Sequence, residues 1–208
     1  MSRLAVNPTR MELRKLKARL KTASRGHKLL KDKSDEMIRQ FLVFAHENKR
    51  LREEIETELA GALHSFMLAQ AVAMTPQIEQ AVAMPDYKVD VAVTERNVMG
   101  VNVPGIEIVK SGDVTLPYDF ASATSELDEA TEKISKLTEK LLKLAEVEKT
   151  CNMLADEIEK NRRRVNALEY VMIPQLNETI KYIVMKLDEN ERGNLTRLMK
   201  VKSMITED

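Results

Sequence analysis

Tryptophan is missing from this 208-residue chain, which has only four Phe and four Tyr. So few aromatics leave no basic–aromatic interleaving of the kind that stacks bases, and no nucleic-acid module is recognisable. One cysteine, Cys151, excludes an internal disulfide and points to a reducing compartment. The three histidines, His27, His46 and His64, do not fall at metal-ligand spacing with that cysteine or with carboxylates, so no metal site is expected. Six glycines supply neither a phosphate-binding loop nor a nucleophile elbow, and neither catalysis nor a cofactor is expected. There is no apolar leader and no long apolar run, so neither a signal peptide nor a membrane span is expected.

What remains is rich in charge and poor in bulk. Lys and Arg number 33, against 33 Asp and Glu, yet the balance is uneven along the chain. Residues 1–33 hold eleven bases against two acids, and residues 76–120 hold three bases against seven acids. Many Leu, Ala, Glu, Lys and Arg with few aromatics is the composition of long helices and coiled coils.

The pattern agrees. Leu13, Leu16, Leu20, Ala23, His27, Leu30, Ser34, Met37, Phe41, Phe44, Asn48, Leu51 and Ile55 recur in alternating steps of three and four. That period, about 3.5 residues, belongs to a helix wound left-handedly on a partner helix. The pattern continues through Leu59, Leu63 and Phe66 toward Met74, and Pro76 closes it. A second seam starts near Ser122–Ser125 and runs Leu127, Ala130, Ile134, Leu137, Leu141, Leu144, Val147, Cys151, Leu154, Ile158, Asn161, Val165, Leu168, Met172. Its successive steps of three at Leu141, Leu144 and Val147 predict a tightened supercoil. Its steps of four from Leu168 to Ile180 predict local unwinding, and Pro174 within that stretch predicts a bend near Tyr170–Ile173.

Between these arms the character changes. Val89, Val91 and Val93 alternate with Asp90, Ala92 and Thr94, and Val101 and Val103 flank Asn102. This is strand periodicity, and it predicts a β-hairpin with its turn at Glu95–Asn97 or Met99–Gly100. The expected organisation is an N-terminal coiled-coil arm (1–75), a Pro- and Gly-containing middle with the hairpin (76–120) and a C-terminal coiled-coil arm (121–208). The fold class is all-α dominated: a long antiparallel two-helix left-handed coiled coil with a small β-hairpin in its middle. A fold-back centred near residue 97 sets position i against roughly 194 minus i.

Candidate sites lie on the outside of such a coil. Arg162, Arg163 and Arg164 are consecutive beside a seam that uses Asn161 and Val165, so all three point away from the partner helix. The fold-back sets Arg25, Lys28 and Lys31 at the same height, completing a positive collar. A solvated charged face, contact with an acidic partner surface and nucleic-acid binding all fit it, the last least well. His27, Ser34 and Asn48 occupy seam positions, where polar groups specify register at some cost in stability.

Three stretches resemble the D subunits of the V/A-type rotary ATPases: NPTRMELRKLKARL (7–20), SRGHKLLKDKSDEM (24–37) and KLAEVEKTCNMLADEIEKNRRRVNALEYVMIPQL (143–176). The resemblance implies a central-stalk rotor in the peripheral, cytoplasmic V1 sector. Its end near both termini would sit in a hexamer of A and B subunits, with the small F subunit on the shaft and a C/d-type socket at the other end. It implies that Arg25, His27, Lys28, Lys31, Arg162, Arg163 and Arg164 contact the hexamer. It also implies that the hairpin, roughly Tyr87–Val109 with Val89, Val91, Val93, Val101 and Val103, promotes ATP hydrolysis. The competing expectation is a non-rotary structural scaffold or tether.

Overall fold

A computed structural model describes residues 4–73, 76, 78–79, 88–111 and 124–206. Helix α1 spans Arg10–Val72, strands β1 and β2 span Lys88–Val98 and Val101–Ser111, and helix α2 spans Ser125–Asn166. A π-helical turn, Ala167–Met172, then leads into helix α3, Ile173–Thr206. Met74, Tyr87 and Ser122, at expected boundaries, lie outside the described residues. The chain divides into two compact units, Met1–Glu36 with Ile158–Asp208, and Met37–Glu157.

Local chemistry fixes the helix starts. Thr9 caps α1: its Oγ1 accepts the Glu12 N–H at 3.2 Å, and its carbonyl accepts the Leu13 N–H at 3.0 Å. Thr-x-x-Glu at this position is the capping-box sequence. The Thr124 carbonyl opens α2, accepting the Leu127 N–H at 2.9 Å, and Glu126 and Asp128 sit in the first turn where the helix dipole favours acids.

In the first unit α1 lies antiparallel to α3. Leu16, Leu176 and Ile183 are buried together, with Leu13, Leu20, Ala23, Ile180 and Leu187 against them. Arg10 meets Glu191 at 3.8 Å and His27 meets Glu169 at 3.2 Å. Residues before α1 turn back along α3, where the Leu4 N–H donates to the buried Thr179 hydroxyl at 3.3 Å.

In the second unit α1 lies antiparallel to α2. One cluster joins Leu51, Val147 and Cys151 to Phe41, Phe44 and Leu144, and another joins Ala69, Ile78 and Leu127 to Phe66 and Ala73. Arg52 reaches Glu148 at 2.6 Å, and Lys140 pairs with Glu58. The fold-back estimate runs slightly short, since it sets Glu58 against Lys136 and His27 against Ala167.

Two details of the seam differ from expectation. Leu63 is 51% exposed and Leu141 is 41% exposed, whereas Ala62, Ser65 and Ala69 are buried. Steps of three and four continue unbroken through Glu58, Ala62, Ser65 and Ala69, and through Leu137, Lys140, Leu144 and Val147. The Glu58–Lys140 ion pair therefore occupies the seam, and the two successive steps of three fall earlier along α2, before Leu141, instead of at Leu141, Leu144 and Val147. Lys133 donates to the Ser65 hydroxyl at 3.1 Å in a second polar layer. Apolarity alone points to Leu59, Leu63 and Leu141, but small and paired polar residues hold the contact positions.

The π-helical turn explains the run of steps of four. Upstream, Ile158, Asn161, Val165 and Leu168 keep the three–four rhythm. Strict continuation lands on Met172, Gln175, Thr179 and Tyr182; of these only Thr179 is buried, where the segment before α1 reaches it, whereas the buried apolar residues are Leu176 and Ile183. The seam is one residue late. The turn closes with the Ile173 N–H on the Leu168 carbonyl, five residues back, which accommodates one extra residue. Pro174 follows directly, and its missing N–H costs least where the regular ladder is already interrupted.

The hairpin pairs Lys88–Val98 with Val101–Ser111 in unbroken antiparallel register, Val98 opposite Val101. Its two-residue turn is Met99–Gly100, with φ of 54° and 85°. Positive φ at both positions matches the strand twist. Gly105 is buried beside Thr94, whose Oγ1 would lie 2.9 Å from an added Cβ.

Candidate partner-contact surfaces

Arg162, Arg163 and Arg164 are all exposed, as their place beside the buried Asn161 requires. Arg163 pairs with Glu159 one turn earlier, and Arg164 reaches the Asn161 side-chain oxygen at 3.5 Å. Across the first unit, Arg25, Lys28 and Lys31 are exposed and His27 is half-buried. Arg25, Lys28, Lys31 and Arg162 make no ion pair among the described residues. Counting from the His27–Glu169 contact, Lys31 comes level with Val165 beside the arginines, while Arg25 comes level with Val171. The positive groups thus spread along the unit rather than ringing it at one height.

Charge divides between the units. The first holds 21 Lys and Arg against 12 Asp and Glu, a net of +9, and the second holds 12 against 21, a net of −9. The positive unit carries a long exposed tail on α3. Beyond the Arg10–Glu191 contact, Leu195, Leu198, Met199, Val201 and Ile205 are all exposed. At their spacing they fall on one side of the helix, an apolar stripe that no described residue covers. Arg10, Leu187, Glu191, Leu195 and Leu198 line an open groove at its start. Sequence reasoning missed this stripe because an apolar residue on a regular helix looks the same whether or not a partner helix reaches it.

The acidic unit presents the hairpin and a lateral apolar flank. Val103 and Gly105 are buried, and the Ile106 N–H donates to the Glu146 carboxylate at 3.3 Å. Arg96 approaches the same carboxylate at 3.9 Å. Val91 and Val93 are exposed, Val89 and Val101 half-buried. Leu59, Leu63, Ile134 and Leu141, displaced from the seam, are exposed beside it.

Several titrating groups are tuned by neighbours. Hydrogen bonding and charge from Lys133 hold Glu129 below the ordinary carboxylate range, and Lys136 does the same for Glu132. Lys186 likewise lowers Glu189 and is raised in return. Burial pushes the Cys151 thiol up, partly offset by a hydrogen bond from Asn48. Among the described residues no cluster of His, Cys, Asp and Glu could hold a metal ion, and no helix is long and apolar enough to cross a membrane.

These features sit on a sequence with close relatives. The family model for the D subunit of ATP synthase matches residues 12–203. The V-type ATP synthase D subunit of Thermoanaerobacter pseudethanolicus is 54% identical over 206 residues, 99% of each chain. The V-type ATP synthase D subunit of Clostridium botulinum strain Kyoto is 55% identical over 209 residues, 99% of this chain and 97% of the relative. With the match running through both units and the hairpin, this chain belongs to the family of ATP synthase D subunits.

Proposed function

We propose that this chain is the central-stalk rotor of a V-type rotary ATP synthase, a non-catalytic component coupling ATP turnover in an A/B hexamer to ion translocation. The uncovered apolar stripe on α3, in a unit of net charge +9, carries this reading. A contiguous exposed apolar face marks a surface that a partner covers. Positive charge around it favours an acidic cavity and speeds docking there.

On this reading the first unit enters the hexamer. Arg25, His27, Lys28, Lys31, Arg162, Arg163 and Arg164 meet its inner surface, and the tail of α3 provides the apolar bearing. The F subunit covers the flank of Leu59, Leu63, Ile134 and Leu141, and a C/d-type socket holds the far end. The hairpin regulates hydrolysis. The rotor works peripherally to the membrane, and its mechanism is differential contact. Three similar sites meet one asymmetric surface, and each rotor angle favours a different nucleotide state at each site.

Native mass spectrometry of the chain mixed with A and B subunits tests the reading. The expected particle holds three A, three B and one copy of this chain, and takes up F. Stable homo-oligomers indifferent to A and B would instead favour a scaffold or tether and end the rotor reading.

A further inference from the structure

The two edges of the hairpin differ. In a two-residue hairpin the residues flanking the turn exchange both backbone hydrogen bonds, and bonded and non-bonded pairs then alternate. Val98 and Val101 are therefore bonded, and the bonds recur at Arg96–Val103, Thr94–Gly105, Ala92–Glu107 and Asp90–Val109. The intervening residues turn their backbone N–H and C=O outward. On β2 these include Pro104, which has no N–H, and Ile106, whose N–H is taken by Glu146. That edge is closed.

On β1 the outward residues are Val89, Val91, Val93, Glu95 and Asn97. None of their backbone groups is bonded outside the hairpin among the described residues. Natural edge strands are blunted by proline, bulges, short length or charged side chains. β1 is 11 residues long, in continuous register and without proline, and of its five outward residues only Glu95 is charged. Its outward residues also share one face, where Val91 is 43% and Val93 is 68% exposed.

We infer that β1 receives an extended strand from a partner protein, which adds to the hairpin as a third strand. Only an extended backbone matches alternating donors and acceptors at this spacing. The side chains define the rest of the match. The incoming strand sets β-branched or other apolar residues beside Val91 and Val93, and a basic residue beside Glu95. Glu95 accepts from the Asn102 side chain at 3.3 Å. The inference goes beyond the rotor reading, because an open edge takes a strand from whichever assembly the chain joins.

The test is amide hydrogen exchange on the isolated chain and on the assembly recovered from its own cells through a tag on this chain. In the isolated chain the outward amides of Val89, Val91 and Val93 exchange freely. In the assembly they slow by about tenfold or more, one new hydrogen bond each. Val91→Pro imitates Pro104 by deleting an outward donor only. It should abolish the protection of Val89 and Val93 while Ala92 and Thr94 stay protected within the hairpin. Val91→Thr, β-branched with its N–H intact, should retain it. Free exchange of the outward amides in the assembly overturns the inference, whether or not rotary subunits are present. Protection in the isolated chain that rises with concentration, with dimers in sedimentation, assigns the edge to a second copy and also overturns it. Should Val91→Pro melt the hairpin, the wild-type comparison alone decides.

Discussion

Glu129 shows how single residues are set by their neighbours one turn away. Lys133 lies 2.8 Å from it and also donates to Ser65, so one ammonium serves both the flank and the seam. Because the carboxylate is held below its ordinary range when folded, the pair stabilises above the unfolded carboxylate pKa. Its contribution is lost as pH falls through the lower, folded value. Lys133→Met should therefore return Glu129 toward the ordinary range, upward, in a carboxyl NMR titration, and weaken the acid dependence of unfolding. An unmoved Glu129 would mean that Lys133 does not set it. Thr124 offers a second test. Its hydroxyl is buried and unpartnered among the described residues, while its carbonyl starts α2. Thr124→Val deletes the orphaned group and keeps the shape, so unfolding should show no loss and a gain of up to about 1 kcal/mol. A loss of that size would show that the hydroxyl has a stabilising role.

At the scale of elements, the π-helical turn is an inserted residue held in place by the cores on either side. The buried Asn161 fixes the phase before it, and Leu176 and Ile183 fix the phase after it. Removing Val171, exposed within the turn, should let the helix close regularly with both cores in phase and the melting temperature nearly unchanged. Removing Lys181 instead rotates Ile183 about 100° out of the core, a loss of about 2–5 kcal/mol comparable to truncating it. Equal damage from the two deletions would refute the insertion. The hairpin turn makes a similar point, because Met99 adopts a left-handed conformation that costs a non-glycine residue about 1–2 kcal/mol. Met99→Asn gives the Asn-Gly pair that such turns favour, and should slow exchange of the inward hairpin amides several-fold. The arms, the strands and the second of the two proposed turns were legible in the sequence because each rests on a period. The seam through Glu58, Ala62, Ser65 and Lys140 was not. A charged residue reads as surface until its counter-ion is placed opposite, and that placement is a tertiary fact. The π turn was half legible: its steps of four stood out, but a supercoil adjustment explains them as well as an inserted residue does.

For the whole molecule, charge and apolar surface are arranged for partners more than for self-stability. A split of +9 and −9 contributes nothing to a net charge of zero, yet it gives each unit its own field. Within the positive unit, Arg162, Arg163 and Arg164 pack against no apolar core, so replacing all three with Ala should leave helicity and melting nearly unchanged. On the proposed reading their value lies at a partner surface. Exposed ion pairs are worth roughly 0.2–1 kcal/mol each, so the triple variant should bind the proposed A/B hexamer weaker by about 1–2 kcal/mol, near 5- to 30-fold. The deficit should shrink with added salt, because screening removes from the native chain what mutation removes from the variant. Loss of coupling should exceed loss of hydrolysis, since on the proposed reading the arginines meet the hexamer surface and not the nucleotide. If hexamer affinity and ATP-driven transport are both unchanged at low salt, the three arginines form only a solvated face. The apolar stripe of α3 would then have to supply the orientation-dependent contact by shape alone.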